Sequence, residues 1–247
     1  MTKREQIINE LHQTENWLNY IESHSELPGK RANLELLDVV ADLGNEELFL
    51  ECLKYNESTA PTNTPGEFVA ACGVTGLGKL IIEGKNKYLG TLRSYASDNR
   101  WRVREGVAFA LQYIGKKDFN VLIEQIQSWK DGNPMEQRAI VAGLCEPALI
   151  AKAPNALKVL NIIEDIMNSI PNIVDRKSEA FRVLKKGLGY GLSVAMVAYP
   201  EKGKALFESL LKHLDKDIKW ILKENLKKNR LMKMDAIWTE KMKSKHF

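Results

Sequence analysis

One short segment has the spacing of a phosphate-binding loop. Gly73, Gly78 and Lys79 stand as in the pattern Gly-x4-Gly-Lys, in which main-chain N–H groups surround a phosphate and the lysine meets its terminal oxygens. The next residue must then be Ser or Thr to hold magnesium, and here it is Leu80. The pattern also needs a preceding strand, whereas a helix start precedes this segment. We therefore predict that Gly76 and Gly78 lie inside a helix, close to a neighbouring helix.

Other patterns that would carry catalysis or metal binding do not appear in the sequence. The histidines are His12, His24, His213 and His246, and the cysteines are Cys52, Cys72 and Cys145. Neither set has a metal-ligand spacing, and there is no Gly-x-Ser-x-Gly segment. We predict no catalytic residue, no metal and no cofactor, and we expect the cysteines to be buried thiols in a reducing compartment.

The sequence predicts a cytoplasmic protein that does not enter a membrane. The first residues are charged and lack the apolar centre of a signal peptide. The longest apolar stretch, around Leu192 to Tyr199, is far shorter than a membrane span.

Arginines alternate with aromatic residues between Ser97 and Tyr113. If Val103, Val107, Leu111 and Ile114 face the core, a turn of 100° per residue places the aromatic residues of this segment on another face. Such a face could stack on bases or grip a protein, or it could pack on the adjacent helix pair. The candidate binding residues here are Arg100, Trp101, Arg102, Arg104, Phe109 and Tyr113.

The C-terminal end, 216–247, is basic. From Glu201 onward there are 13 Lys or Arg and 7 Asp or Glu, so this part has a net charge of +6. The whole chain has a net charge of +4. The run Lys216, Lys219, Lys223, Lys227, Lys228 and Arg230 includes four lysines on one helical face, with Trp220 nearby. The candidates Lys219, Lys223 and Lys227 could neutralise phosphates, or the face could be the solvated cap of the final repeat.

Helical periodicity and helix caps run through the whole chain. Thr64-Pro65-Gly66-Glu67 and Asn133-Pro134-Met135-Glu136 each combine a capping residue, a proline at the first helical position and a glutamate that can reach back. One apolar stripe is formed by Ile7, Ile8, Leu11, Leu18 and Ile21. Other helices are predicted near 33–43, 46–55, 67–83, 88–97, 119–130, 155–170, 201–214 and 216–228. The sequence therefore predicts an all-α protein of about a dozen helices.

Two segments resemble each other without gaps. Val103-Arg104-Glu105, ending in Ala110-Leu111, aligns with Ile218-Lys219-Trp220, ending in Asn225-Leu226, and an aspartate precedes each segment. The pattern resembles that of HEAT repeats. The resemblance implies a right-handed α-α superhelix of about six helix pairs, which form a single solenoid domain over 1–247. It also implies that Asp98 pairs with Arg104, and Asp215 with Lys219, between neighbouring repeats. The composition of residues 56–66, NESTAPTNTPG, predicts a loop within this domain.

The segment Ser97-Asp98-Asn99-Arg100-Trp101-Arg102-Val103-Arg104 is also similar to part of the HEAT-like alkylpurine DNA glycosylases. The resemblance implies that Arg104 faces a DNA groove. Those enzymes carry a Trp-Trp-Asp motif upstream, and residues 64–96 contain no Trp. Their later aromatic residue falls here within Ala139 to Gly143. The chain thus departs from them in the carboxylate and the stacking aromatics.

Two functions follow as hypotheses, and an enzyme of unrecognised type is a third. The first is a non-enzymatic HEAT-repeat scaffold that binds a protein or peptide on its concave surface. The alternative is a nucleic-acid-binding protein related to the alkylation-repair glycosylases, with Arg100, Arg102, Arg104 and the C-terminal lysines as its contacts.

Overall fold

A computed structural model describes residues 1–246, and within this range every regular element is helical. The described part contains fifteen α-helices and three short 3₁₀ helices, so the predicted all-α class is confirmed. The chain forms two compact units, of which the first is Met1–Asp118 and the second begins at Phe119. No shift in composition marks this boundary in the sequence.

The first unit contains seven α-helices. They are α1 (Lys3–Gln13), α2 (Trp17–Ser23), α3 (Leu34–Leu43), α4 (Glu46–Cys52), α5 (Pro65–Ile82), α6 (Leu89–Tyr95) and α7 (Trp101–Lys117). Helix α5 packs against α7 most extensively, and also against α2, α3, α4 and α6. It is therefore the centre of this unit.

Helix α5 begins at the predicted cap. The Thr64 hydroxyl accepts from the Glu67 N–H at 3.3 Å, and the Glu67 carboxylate accepts from the N–H of Asn63 at 2.7 Å. By length and composition α5 could cross a membrane, with a mean hydropathy of 1.3, which the sequence prediction did not anticipate. However, 83% of this segment is buried inside the unit, and burial among other helices accounts for its apolar character.

The glycines of α5 lie at close helix contacts, as predicted. A Cβ at Gly76 would stand 2.2 Å from the Phe49 ring, and one at Gly78 would stand 2.7 Å from the Ala110 carbonyl oxygen. The lysine of the phosphate-loop pattern, Lys79, donates to the carbonyl oxygens of Asp42 and Gly44, each at 2.8 Å. Lys79 therefore binds the C-terminal end of α3, where main-chain carbonyls lack helical partners.

The second unit contains eight α-helices. They are α8 (Phe119–Ile126), α9 (Pro134–Leu144), α10 (Ala153–Ser169), α11 (Glu179–Ala198), α12 (Pro200–Leu210), α13 (Lys216–Leu226), α14 (Asn229–Met234) and α15 (Ala236–His246). Helix α11 packs against α9, α10, α12, α13 and α14, so it has the central place that α5 has in the first unit.

Small and polar residues bring α11 close to its neighbours. A Cβ at Gly191 would stand 2.6 Å from a methyl group of Val141 on α9, and one at Gly189 would stand 3.3 Å from the Trp220 ring on α13. The buried Asn225 side chain accepts from the Ser193 N–H at 2.8 Å and donates to the Leu188 carbonyl at 2.9 Å. These contacts fix the register between α11 and α13.

The sequence predictions were wrong at both ends of the chain. The stripe from Ile7 to Ile21 does not belong to one helix, because α1 ends at Gln13 and the Asn16 side chain caps α2 by accepting from the Asn19 N–H at 3.1 Å. The polar cap at Asn16 starts a new helix although the apolar spacing continues across it. At the C-terminal end, helices α14 and α15 were not predicted.

Candidate binding surfaces

Arg100 is an internal residue, although the sequence made it a binding candidate. It is 2% exposed and makes two side-chain hydrogen bonds with the Asp98 carboxylate, at 2.8 and 3.0 Å. It also donates to the carbonyl oxygens of Tyr55 and Ala60. Burial favours the neutral form, but the bonds to Asp98 outweigh it, and the pKa of Arg100 is raised. Arg100 therefore joins the loop before α7 to the loop before α5.

Arg102 is also buried, and it forms an ion pair with Glu67. Its guanidinium donates to the Glu67 carboxylate at 3.0 Å and to the Gly29 carbonyl at 2.8 Å. Glu67 is 0% exposed and also accepts from the N–H of Arg102 at 3.2 Å. Because both charges are almost completely removed from water, each depends on the other.

Arg104 is 6% exposed and points back to the turn that precedes α7. It donates to the carbonyl oxygens of Asp98 and Asn99 at 2.6 and 2.8 Å. The HEAT resemblance implies a pair between Asp98 and Arg104. In the structure the Asp98 carboxylate binds Arg100, and Arg104 binds the Asp98 main-chain carbonyl. All three arginines of this segment lie inside the first unit.

Two of the three aromatic candidates of α7, Trp101 and Phe109, line a groove in the first unit. Trp101 is 46% exposed and Phe109 is half-buried. Tyr113 is half-buried, and its hydroxyl donates to the Asp42 carboxylate of α3 at 3.3 Å. Burial, and secondly Asp42, raise the pKa of Tyr113. Tyr113 thus connects α7 to α3, while Trp101 is open to solvent.

We name this cavity the Trp101 groove. It has a volume of about 340 Å³ and is lined by Lys30, Arg31, Ala32, Leu34, Leu37, Phe68, Ala71, Trp101, Arg102, Glu105 and Phe109. Phe68 and Ala71 of α5 form its floor, and α7 and the start of α3 form its walls. The sequence did not predict the contributions of Lys30, Arg31 and Leu34.

The lysine row of α13 has the predicted placement. Lys216, Lys219, Lys223 and Lys227 are all exposed. Lys227 forms an ion pair with Glu224, whereas no carboxylate of residues 1–246 lies within 4.0 Å of the Lys219 or Lys223 ammonium group. The row therefore presents positive charge to solvent.

Asp215 pairs with an arginine, and the pairing with Lys219 expected from the HEAT resemblance is not the one observed. Arg176, just before α11, binds Asp215 at 2.7 Å and Asp217 at 3.0 Å. Asp215 also caps α13 by accepting from the N–H of Asp217 at 2.8 Å. Burial opposes ionisation of Asp215, but the bonds from Arg176 and from main-chain N–H groups outweigh it, so its pKa is lowered.

A second set of cations surrounds Tyr190 on α11. Arg182, Lys186 and Tyr190 are exposed at intervals of four residues, so they share one helical face. Tyr190 is 51% exposed; Arg230 lies 4.3 Å and Lys228 5.8 Å from the centre of its ring. No carboxylate of residues 1–246 lies within 4.0 Å of these four cationic groups. We name these five residues the Tyr190 surface.

The sequence pattern predicted only part of the Tyr190 surface. Lys228 and Arg230 belong to the basic run at the C-terminal end, but Arg182, Lys186 and Tyr190 received no role. The spacing of these three residues by four was the available signal. It was hidden because the same helix carries a much stronger apolar stripe, from Phe181 to Ala195.

The described residues show no constellation suited to nucleophilic or metal chemistry. No group of three His, Cys, Asp or Glu side chains within residues 1–246 could hold a metal ion. Cys52 and Cys72 are buried and Cys145 is half-buried. Burial raises the pKa values of Cys52 and Cys145 to about 12 and that of Cys72 well above its ordinary value, so these thiols stay protonated at neutral pH.

Comparisons with models of known protein families, with curated proteins and with solved structures find no match to this chain.

Proposed function

We propose that this protein binds nucleic acid through the Tyr190 surface, without catalysis. The observation that carries the proposal is a group of four cations around one exposed aromatic ring, of which Arg182 and Lys186 are exposed and Lys228 and Arg230 are half-buried, with no carboxylate of residues 1–246 within 4.0 Å of their charged groups. Unpaired Lys and Arg neutralise phosphates and release counterions, and an aromatic ring offers a stacking surface to any base.

The dimensions of the surface fit several phosphates. The row from Arg182 to Tyr190 rises about 12 Å along α11. One strand of duplex DNA carries a phosphate about every 3.4 Å along the helix axis, so this length covers roughly three of them. The exposed lysines Lys219 and Lys223 add positive charge within the same unit.

The segment that resembles the DNA glycosylases does not supply these contacts. Arg100, Arg102 and Arg104 are buried, with partners that stabilise the first unit. The proposal therefore keeps nucleic acid as the ligand but assigns it to other residues.

We further propose that the helices of each unit are HEAT-like repeats of a right-handed α-α superhelix. Two observations support this proposal besides the sequence pattern. Helices α7 and α13, which contain the two similar segments, both follow an aspartate in an ion pair with arginine: Asp98 with Arg100 and Asp215 with Arg176. In both cases that arginine joins the loops before two helices that are separated by one α-helix in the chain: α5 and α7 in the first unit, and α11 and α13 in the second.

Fluorescence anisotropy with a labelled 20-base-pair duplex of arbitrary sequence tests the binding proposal. We expect the double variant Arg182→Glu/Lys186→Glu to bind at least 10-fold more weakly. The slope of log K against log salt should fall in magnitude by about two units, since each phosphate contact contributes about 0.9. A single-stranded probe of the same length distinguishes stacking on Tyr190 from groove binding.

The control variant is Lys202→Glu/Lys212→Glu, which makes the same change of charge at exposed lysines elsewhere in the second unit. It should retain most of the affinity and the wild-type salt slope. Equal losses in the two double variants would mean that only net charge matters, and the proposal would then be wrong.

A further inference from the structure

The Trp101 groove has an apolar floor and a cationic rim. Leu37, Phe68 and Ala71 contribute apolar surface, and Leu34 and Trp101 stand in the walls with 55% and 46% of their surface exposed. Two such exposed side chains across an apolar groove are unusual for a surface that contacts only water. Exposed Trp in a pocket is a typical anchor point of protein interfaces.

The charges on the rim are unbalanced. Lys30 and Arg31 are exposed, and no carboxylate of residues 1–246 lies within 4.0 Å of their charged groups. The one carboxylate in the lining, Glu105, is already engaged within the described molecule. The open positive charge therefore lies at the end of the groove where the 26–31 loop meets α3.

The groove is held in its shape before any ligand arrives. The Gly29 carbonyl accepts from Arg102 and the Gly29 N–H donates to the Asn63 side chain at 3.1 Å, which fixes the loop that carries Lys30 and Arg31. The Arg102 guanidinium lies 4.7 Å from the centre of the Trp101 ring and is itself held by Glu67. Because both walls are fixed, binding would lose little conformational entropy.

We infer that the Trp101 groove binds a peptide segment of another protein in which a large apolar side chain stands beside acidic residues. The apolar side chain would occupy the space between Trp101 and Leu34, above Phe68. The acidic residues would meet Lys30 and Arg31. Charge complementarity selects this occupant, because a purely apolar segment would leave the two rim cations unused. The inference is independent of nucleic-acid binding, since every contributing residue lies in the first unit.

Selection from a phage-displayed library of random heptapeptides tests this inference directly. The full-length protein serves as target, and Trp101→Ala, which removes an exposed side chain and should fold, serves in a parallel selection. We expect the wild-type protein to enrich peptides with Trp, Phe or Leu next to Asp or Glu. Trp101→Ala should not enrich them.

The best selected peptide is then synthesised with a fluorescent label, and its affinity is measured by anisotropy. Lys30→Glu/Arg31→Glu should weaken its binding at least 10-fold, and addition of salt should reduce the wild-type affinity. Ile237→Ala, which changes a side chain that is 85% exposed in the second unit, should bind like the wild type. A duplex DNA competitor should not displace the peptide.

Two results would overturn the inference. One is enrichment of the same sequences by the wild-type protein and by Trp101→Ala, because the groove would then not be the site. The other is a wild-type selection that yields no peptides combining apolar and acidic residues, whether it yields other peptides or none.

Discussion

Two clusters of basic residues, the arginines that precede and begin α7 and the cations of the Tyr190 surface, have different environments. Between residues 98 and 104 three arginines stand within five positions, yet all three are at least 93% buried and bind Asp98, Glu67 or main-chain carbonyls. On the Tyr190 surface Arg182 and Lys186 of α11 are exposed, and Lys228 and Arg230 are half-buried beside the Tyr190 ring. Density of arginine along the chain is therefore a poor guide to a binding surface.

The reason is the position of each residue relative to a helix end. Arg100 precedes the first turn of α7 and Arg104 lies one turn later, so their long side chains can reach carbonyl oxygens of adjoining loops that have no other partner. Arg182 and Lys186 are instead exposed in the first and second turns of α11. No main-chain carbonyl there is free, because the helix uses its own.

The largest expected effect is on stability, from Arg100→Ala. This substitution leaves Asp98 and the carbonyls of Tyr55 and Ala60 without their shared donor inside the first unit. We expect a loss of about 3–5 kcal/mol in the free energy of unfolding, measured by urea denaturation. Arg182→Ala, made for comparison in the second unit, should change it by less than about 0.5 kcal/mol. Similar losses of stability in the two variants would contradict the difference between the buried Arg100 and the exposed Arg182.

The second largest effect on stability is expected from alanine substitutions at glycines of the two central helices, α5 and α11. Ala at position 76 would press its Cβ on the buried ring of Phe49, so Gly76→Ala should cost about 1–3 kcal/mol. At Gly187 of α11 the nearest atom is 3.7 Å away, and Gly187→Ala should gain up to about 1 kcal/mol from helix propensity. Melting temperatures by circular dichroism should shift in opposite directions. A stabilised Gly76→Ala protein would disprove the close contact.

The smallest of these effects depends on pH. The pKa of Asp215 is lowered in the folded protein, so its ion pair with Arg176 adds stability above the unfolded pKa and loses it as pH falls through the folded pKa, below about 3.8. Asn caps helices as well as Asp does, so Asp215→Asn removes mainly the charge. We expect a loss of about 1 kcal/mol at pH 7 that becomes smaller as pH falls below about 3.8.

Urea denaturation of both proteins across this pH range provides the measurement for Asp215→Asn. A difference between the two proteins that stays constant from pH 7 to pH 3 would show that the Asp215 charge contributes nothing.

The helices were largely predictable because their signals are local. The caps at Thr64 and Asn133 begin α5 and α9 where the sequence placed them. The break between α1 and α2 was missed because the apolar spacing continues across it, and only the Asn16 cap reveals it. Helices α14 and α15 were missed because their basic residues dominate the composition.

The binding surfaces were less predictable, because they join residues that are distant in the chain. The Trp101 groove needs Lys30 and Arg31 beside Trp101, and no local pattern connects them. The Tyr190 surface needs the contact between α11 and the residues around 228–230. The buried state of Arg102 was also hidden, because its partner Glu67 lies 35 residues earlier.

The most direct test of the central contrast measures stability and duplex affinity on two variants, Arg104→Ala and Lys186→Ala. We predict that Arg104→Ala loses about 1–3 kcal/mol of stability and, while folded, binds the duplex like the wild type. Lys186→Ala should keep its melting temperature, bind more weakly and show a salt slope smaller by about one unit. An Arg104→Ala protein with unchanged melting temperature and weakened duplex binding, beside a Lys186→Ala protein that binds normally, would contradict the account.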